Sequence, residues 1–146
     1  MASVKGVNKT LADTTGGIGT ANLIARGAVG GNVKVMVDSY EAAALATDST
    51  ISMGPTLPVG ARVVGFTLAY DALKTVSLSL GDSASGARYL ASFDSANTAG
   101  IKNEILVDGV DYVIGTAASD NQIVVKTTGV SSATGTIKVA VYYTEA

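Results

Sequence analysis

Apolar and polar residues alternate most regularly between Ala61 and Ser83. Val64, Phe66, Leu68 and Tyr70 fall on one face, with Val63, Gly65, Thr67 and Ala69 on the other. A second run sets Val76, Leu78 and Leu80 against Ser77, Ser79 and Gly81. Successive strand side chains point to opposite faces, so a period of two marks a half-buried strand. The short Asp71-Ala72-Leu73-Lys74 interval between the runs predicts that they form one antiparallel hairpin.

The same reading extends along the chain. Val33, Val35 and Val37 alternate with Lys34, Met36 and Asp38, in a strand that reaches Tyr40. Residues 41–46 are alanine-rich and suit either a helical turn or more strand, and strand is preferred. A turn at 46–49 precedes a short strand carrying Ile51 and Met53, which Pro55 and Pro58 end because proline cannot donate to a ladder. Residues 81–86 read as a loop and Arg88 to Phe93 as a strand with Tyr89, Ala91 and Phe93 together. Residues 94–100 read as irregular. Ile101–Val107 and Val110–Ile114 flank Asp108-Gly109, which predicts a type I′ hairpin. Asn121–Thr127 and Thr136–Thr144 complete the set. The expected fold is all-β, an antiparallel β-sandwich or jelly roll of about eight strands. Its expected core is Val64, Phe66, Leu68, Val76, Leu78, Leu80, Ile123, Val125, Ile137, Val139 and Val141.

Residues 1–32 break this pattern. Gly16-Gly17-Ile18-Gly19 and Gly27-Ala28-Val29-Gly30-Gly31 separate isolated aliphatics, among them Leu11, Ile18, Leu23 and Ile24. So much glycine raises the entropic cost of order, which predicts an extended N-terminal arm over 1–32 and a body over 33–146. The four aliphatics are the candidate anchors of that arm on another subunit, the alternative from the residues alone being a disordered tail. Lys5, Lys9 and Arg26 against Asp13 leave the arm at +2, and the body carries −4 of the net −2.

Composition sharpens the picture. The 146 residues are enough for one domain with a core. Only 15% are charged, against about 25% in an ordinary soluble domain. A surface this poor in charge either aggregates or is covered by partners, and coverage is the preferred reading. No apolar run approaches the length of about 18 residues that a membrane helix needs, and the acidic balance argues against nucleic acid. The expectation is therefore no nucleic acid, no membrane and no small-molecule substrate.

Chemistry finds little foothold. The chain has no histidine and no cysteine, which removes the usual base for a serine nucleophile and the thiolate metal ligands. Gly81-Asp82-Ser83 resembles a hydrolase GDS, but Ser85 stands where G-x-S-x-G requires its last glycine, so a turn is expected. Gly17-x-Gly19 lacks the third glycine of a dinucleotide loop, where Asn22 stands. Asp108 with Asp111 flank a turn and Asp38 with Glu41 end a strand, which is ordinary turn chemistry. Not an enzyme, no cofactor, no catalytic residue and no metal site is the resulting expectation.

The framework motifs carry a resemblance. Leu57-Pro58-Val59-Gly60-Ala61-Arg62-Val63-Val64-Gly65-Phe66, Ser77-Leu78-Ser79-Leu80-Gly81-Asp82-Ser83 and Ala87-Arg88-Tyr89-Leu90 are similar to small structural proteins of tailed-bacteriophage virions. So are Gly109-Val110-Asp111-Tyr112, Asp120-Asn121-Gln122-Ile123-Val124-Val125 and Thr134-Gly135-Thr136-Ile137-Lys138-Val139 through Tyr142-Tyr143-Thr144. The resemblance spans roughly residues 30–146. It implies a jelly-roll or β-sandwich cement or decoration protein on the phage head surface, assembled in the host cytoplasm and commonly a homotrimer. Its implied partners are the major capsid protein and copies of itself. The alternative is a carbohydrate-binding β-sandwich of a tail or head fibre, in which the six tyrosines would supply a stacking platform.

Overall fold

The computed structural model describes residues 32–46, 48–74, 76–95, 97–115, 120–129 and 133–145. Alternation becomes strand as expected: in β8 (Ala133–Thr144) Ile137, Val139 and Val141 are buried while Lys138 and Tyr142 face out. The other strands are β1 (Val33–Leu45), β2 (Thr50–Met53), β3 (Arg62–Tyr70), β4 (Val76–Asp82), β5 (Leu90–Asp94), β6 (Gly100–Lys102) and β7 (Ile123–Gly129). They form two four-stranded antiparallel sheets, ordered β1-β8-β3-β6 and β2-β7-β4-β5. The fold is an all-β sandwich, and its inner faces enclose one hydrophobic core. Residues 1–31 of the expected arm lie outside the described residues.

Ten of the eleven expected core residues are buried, and Val64 is the exception at 39% exposure. The register of β3 against β8 slips between Val63 and Gly65, so Val63 and Phe66 both point inward and Val64 is turned out. This is a β-bulge, in which one extra residue re-aims the side chains around it. A second slip, between Leu78 and Leu80, sets Phe93 opposite Leu78 and Leu90 opposite Leu80. Leu90 and Phe93 therefore both turn toward the core and Ala91 is exposed, which breaks the expected grouping of Ala91 with Tyr89 and Phe93.

The run from Ala61 to Ser83 is not a hairpin. β3 belongs to the first sheet and β4 to the second, so Asp71–Lys74 crosses between the layers. The Asp71 N–H donates to the Thr136 carbonyl and the Leu73 N–H to the Ser95 carbonyl, tying the crossing to both sheets. Leu73 is fully buried there, so the segment plugs the end of the sandwich. Ile101–Val107 and Val110–Ile114 do not pair with each other either. β6 pairs with the end of β3, while residues 111–114 run beside Gly60–Val63. The left-handed residue of that turn is Asp111, not Asp108 or Gly109. Gly109 instead allows close approach, since a Cβ there would lie 2.8 Å from the Arg88 carbonyl oxygen. Residues 41–45 extend β1, in keeping with the strand reading.

The bulge makes a direct test. Phe66→Ala removes a buried ring and should cost about 3–5 kcal/mol. Val64→Ser, one strand position from buried Val63, should stay within about 0.5 kcal/mol of the parent. Urea denaturation of both variants measures this, and equal losses would contradict the bulged register.

Candidate interaction surface

Which face of β1 looks outward is set by its pairing with β8. Met36 sits opposite Val141 and Tyr40 opposite Ile137, so the even-numbered residues turn inward. Val33, Val35 and Val37 are left on the outside, at 62%, 52% and 67% exposure. The next strands continue the same face: Tyr142 opposes Val35 and Gly65, and Ala140 opposes Val37 and Thr67. The Tyr142 and Thr67 hydroxyls lie 3.4 Å apart across it. Val113, bridged to Arg62, and Ile101, opposite Ala69, extend the face to the far edge of the sheet. Both are exposed, as is Val64. The outer surface of the first sheet is thus apolar over most of its width. Contiguous apolar area of this kind marks an interaction site more often than a bare monomer surface.

Toward Tyr70 the face turns polar and opens into a groove of about 760 Å³ lined by Glu41, Asp71, Thr136, Lys138 and Ile101 among others. Its carboxylates are committed to structure. Glu41 accepts from the Thr136 hydroxyl at 2.6 Å, and Asp71 from the Thr136 N–H at 2.8 Å.

The second sheet carries the polar cluster of the molecule, at the end of the sandwich where β4 stops. Asp82 is fully buried, accepts the N–H groups of Ala84 and Ser85, and is ion-paired with Arg88. The Gly81-Asp82-Ser83 sequence is therefore a turn held by its own carboxylate. A Cβ on Gly81 would lie 2.0 Å from the Ser85 carbonyl oxygen, so the turn folds back onto the strand only because that position is glycine. The Arg88 guanidinium lies 3.9 Å over the Tyr112 ring. Tyr112 in turn donates to Asp120 at 3.1 Å, and the Gly115 N–H donates to the same oxygen at 2.9 Å. The Asp82 carboxylate holds the Arg88 guanidinium above its ordinary pKa. Burial pushes the Tyr89 phenol far up, and raises Tyr112 together with its bond to Asp120. Nothing in this linked set presents a nucleophile beside a base.

Two more of the carboxylates singled out from the sequence are also used locally. Asp38 fixes the Gly54 N–H at 2.6 Å, and Asp111 pairs with Arg62 at 2.9 Å. The tyrosines do not converge: Tyr89 is buried, Tyr70 packs on Phe93 with ring centroids 5.1 Å apart, and Tyr40, Tyr112 and Tyr143 lie partly within the core. Only Tyr142 of the six stands on the apolar outer face. A stacking platform for sugars is not assembled. Leu11, Ile18, Leu23 and Ile24 lie outside the described residues. Sequence reasoning missed the outer face because alternation groups residues by face without saying which face is buried.

No protein-family model matches the chain, and no curated protein matches it. Solved structures do. The chain is similar to one in the cyanophage Pam1 capsid asymmetric unit, with 26% identity and a TM-score of 0.65 over 80% of this chain and 86% of that one. It is similar in fold to a chain of the capsid of Ralstonia phage GP4, at 18% identity and TM-score 0.63, covering 80% and 86%. A chain of the acidic stable capsid of Helicobacter pylori bacteriophage KHP30 shares the fold at 16% identity and TM-score 0.55, covering 77% and 86%. The class defined by fold and surface is a β-sandwich of the kind found in phage capsids.

The polar cluster predicts an alkaline transition. A phenol ionises near pH 10 in an unfolded chain, and Tyr89 is held above that value in the folded one. Its contribution is thus fully present below about pH 10 and is lost as pH rises from there toward the folded value. The difference in phenolate absorbance between the parent protein and Tyr89→Phe should rise only as the protein unfolds. A Tyr89 midpoint near 10 in the folded protein would contradict its burial.

Proposed function

We propose that this chain is a non-enzymatic structural protein of a phage virion, a cement or decoration protein that binds the head surface across joints between major capsid subunits. The observation that carries this reading is the similarity to a chain of a capsid asymmetric unit at 26% identity over four-fifths of the sequence. The apolar outer face of the first sheet supports it, because a charge-poor sheet face needs a covering partner. The mechanism is mechanical. Contacts that exist only in the assembled shell oppose its expansion, and many copies turn a modest affinity per copy into large resistance by avidity. Association into trimers belongs to the same reading.

The arm, residues 1–32, is assigned to a neighbouring subunit. Thirty extended residues reach about 100 Å, well beyond the body they leave. Leu11, Ile18, Leu23 and Ile24 supply about 1.5–3 kcal/mol each when buried. Ordering costs about 1–2 kcal/mol per residue, so four anchors do not hold the arm unaided. Backbone hydrogen bonds to the partner complete the account, as strand addition to a sheet edge.

Every residue of the described core lies between Met36 and Val141, so removing residues 2–30 should leave the body folded. The truncated protein should decorate capsids of its own phage far more weakly than the full chain in a particle-binding assay. Equal decoration would show the arm to be a passive tail. Absence of binding by the full chain would overturn the capsid reading itself.

A further inference from the structure

β1 ends its sheet and is 13 residues long, whereas the other three edge strands, β2, β5 and β6, have 4, 5 and 3 residues. A sheet edge is a row of N–H and C=O groups open to pairing, and proteins keep such edges short, bulged or covered. β1 has no proline, and its register with β8 runs unbroken from Val33 to Ala43. Among the described residues no strand pairs with its other side. We infer that this edge is a two-fold contact, at which β1 of one copy runs antiparallel to β1 of a second copy about Met36.

The strand's own sequence selects that partner and that register. In a two-fold antiparallel pair, facing side chains lie on the same side of the sheet, so the axis passes midway between one residue and its own copy, and is named by that residue. Centred on Met36, Lys34 faces the mate's Asp38, Val35 faces its Val37, and both relations occur twice. The charge pair lies on the inner side and the valine pairs lie on the exposed outer side. The neighbouring registers lose the charge pair, even the one at Val35, which sets Val33 against Val37. An axis through Val35 sets Lys34 against Met36, and one through Val37 sets Val35 against Ser39 and Met36 against Asp38. Axes through Lys34 or Asp38 put a charge opposite its own copy, which is destabilising. Asp38 is already fixed by the N–H groups of Ser39 and Gly54, so its carboxylate is oriented before the mate arrives. Lys34 pairs with Glu145 at 2.6 Å and keeps further donors for the mate. Pairing also joins the two valine rows into one surface across an eight-stranded sheet.

This contact does not depend on the capsid reading. Were the chain to form trimers through another surface, this two-fold contact would join them in pairs and give even-numbered species. The test uses the full chain with both outer valines replaced, because both are exposed and neither supports the core. Val35→Lys with Val37→Lys places like charges opposite each other twice and should weaken self-association by about tenfold or more in sedimentation across a dilution series. Val35→Lys with Val37→Glu places opposite charges there, and should restore association in a salt-sensitive way. Mixing Val35→Cys protein with Val37→Cys protein should give an intermolecular disulfide that neither gives alone. A parent protein with no even-numbered species overturns the inference. So do two double variants that dissociate equally, or cysteines that fail to cross-link because the chain's first 31 residues or another protein occupies the edge.

Discussion

Strand β8 is hydrogen-bonded along both sides, to β1 from Ala133 to Thr144 and to β3 from Ile137 to Thr144. That double pairing fixes the whole first sheet. Ile137, Val139 and Val141 enter the core, and a one-residue slip of either neighbour would send its apolar set outward. Once Met36 is held opposite Val141, the three valines of β1 have only the outer face left to them. The exposed apolar surface is thus a consequence of packing the interior correctly. It is not a local accident of the edge.

The two ends of the sandwich are closed differently. Leu73 closes one by burial alone, on a segment tied to both sheets by backbone bonds. At the other, a buried carboxylate, a guanidinium, the Tyr112 phenol and a second carboxylate lock the turn after β4 to the segment before β7. Such a set is stable only while its members remain paired, because an uncompensated buried charge is far costlier than an exposed one. Much of the chain's small complement of charge is spent in holding its own turns. That leaves the broad outer face with little to keep it soluble on its own.

How much of this was legible in the sequence follows from the range of each interaction. Period-two alternation is local, so the strands and ten core residues were readable from it. Partnership is not local. β3 and β4 looked like a hairpin because they are consecutive, but the burial of Leu73 sends the chain to the other sheet. The bulges hid in the same way, since each inserts one residue into a pattern whose period is two. Gly65 was the available signal for the first, as glycine inside a strand often marks a bulge. Asp108-Gly109 misled because close packing against Arg88 and Tyr89 demands glycine as strongly as a left-handed turn does.

The alternation of Val33 to Asp38 was ambiguous in a more informative way. Valine outside and methionine inside make both faces of β1 partly apolar, and a monomer has use for only one of them. Selection for solubility alone would place polar residues at 33, 35 and 37, as it does at Ser39 and Glu41 farther along the same face. Retaining three valines on a long edge strand carries an aggregation hazard. That hazard is tolerable where the face and edge are covered in the working assembly. The β1 edge and the outer surface of its sheet therefore belong to one proposal: a body that buries its own core, and an apolar edge and face that other subunits cover.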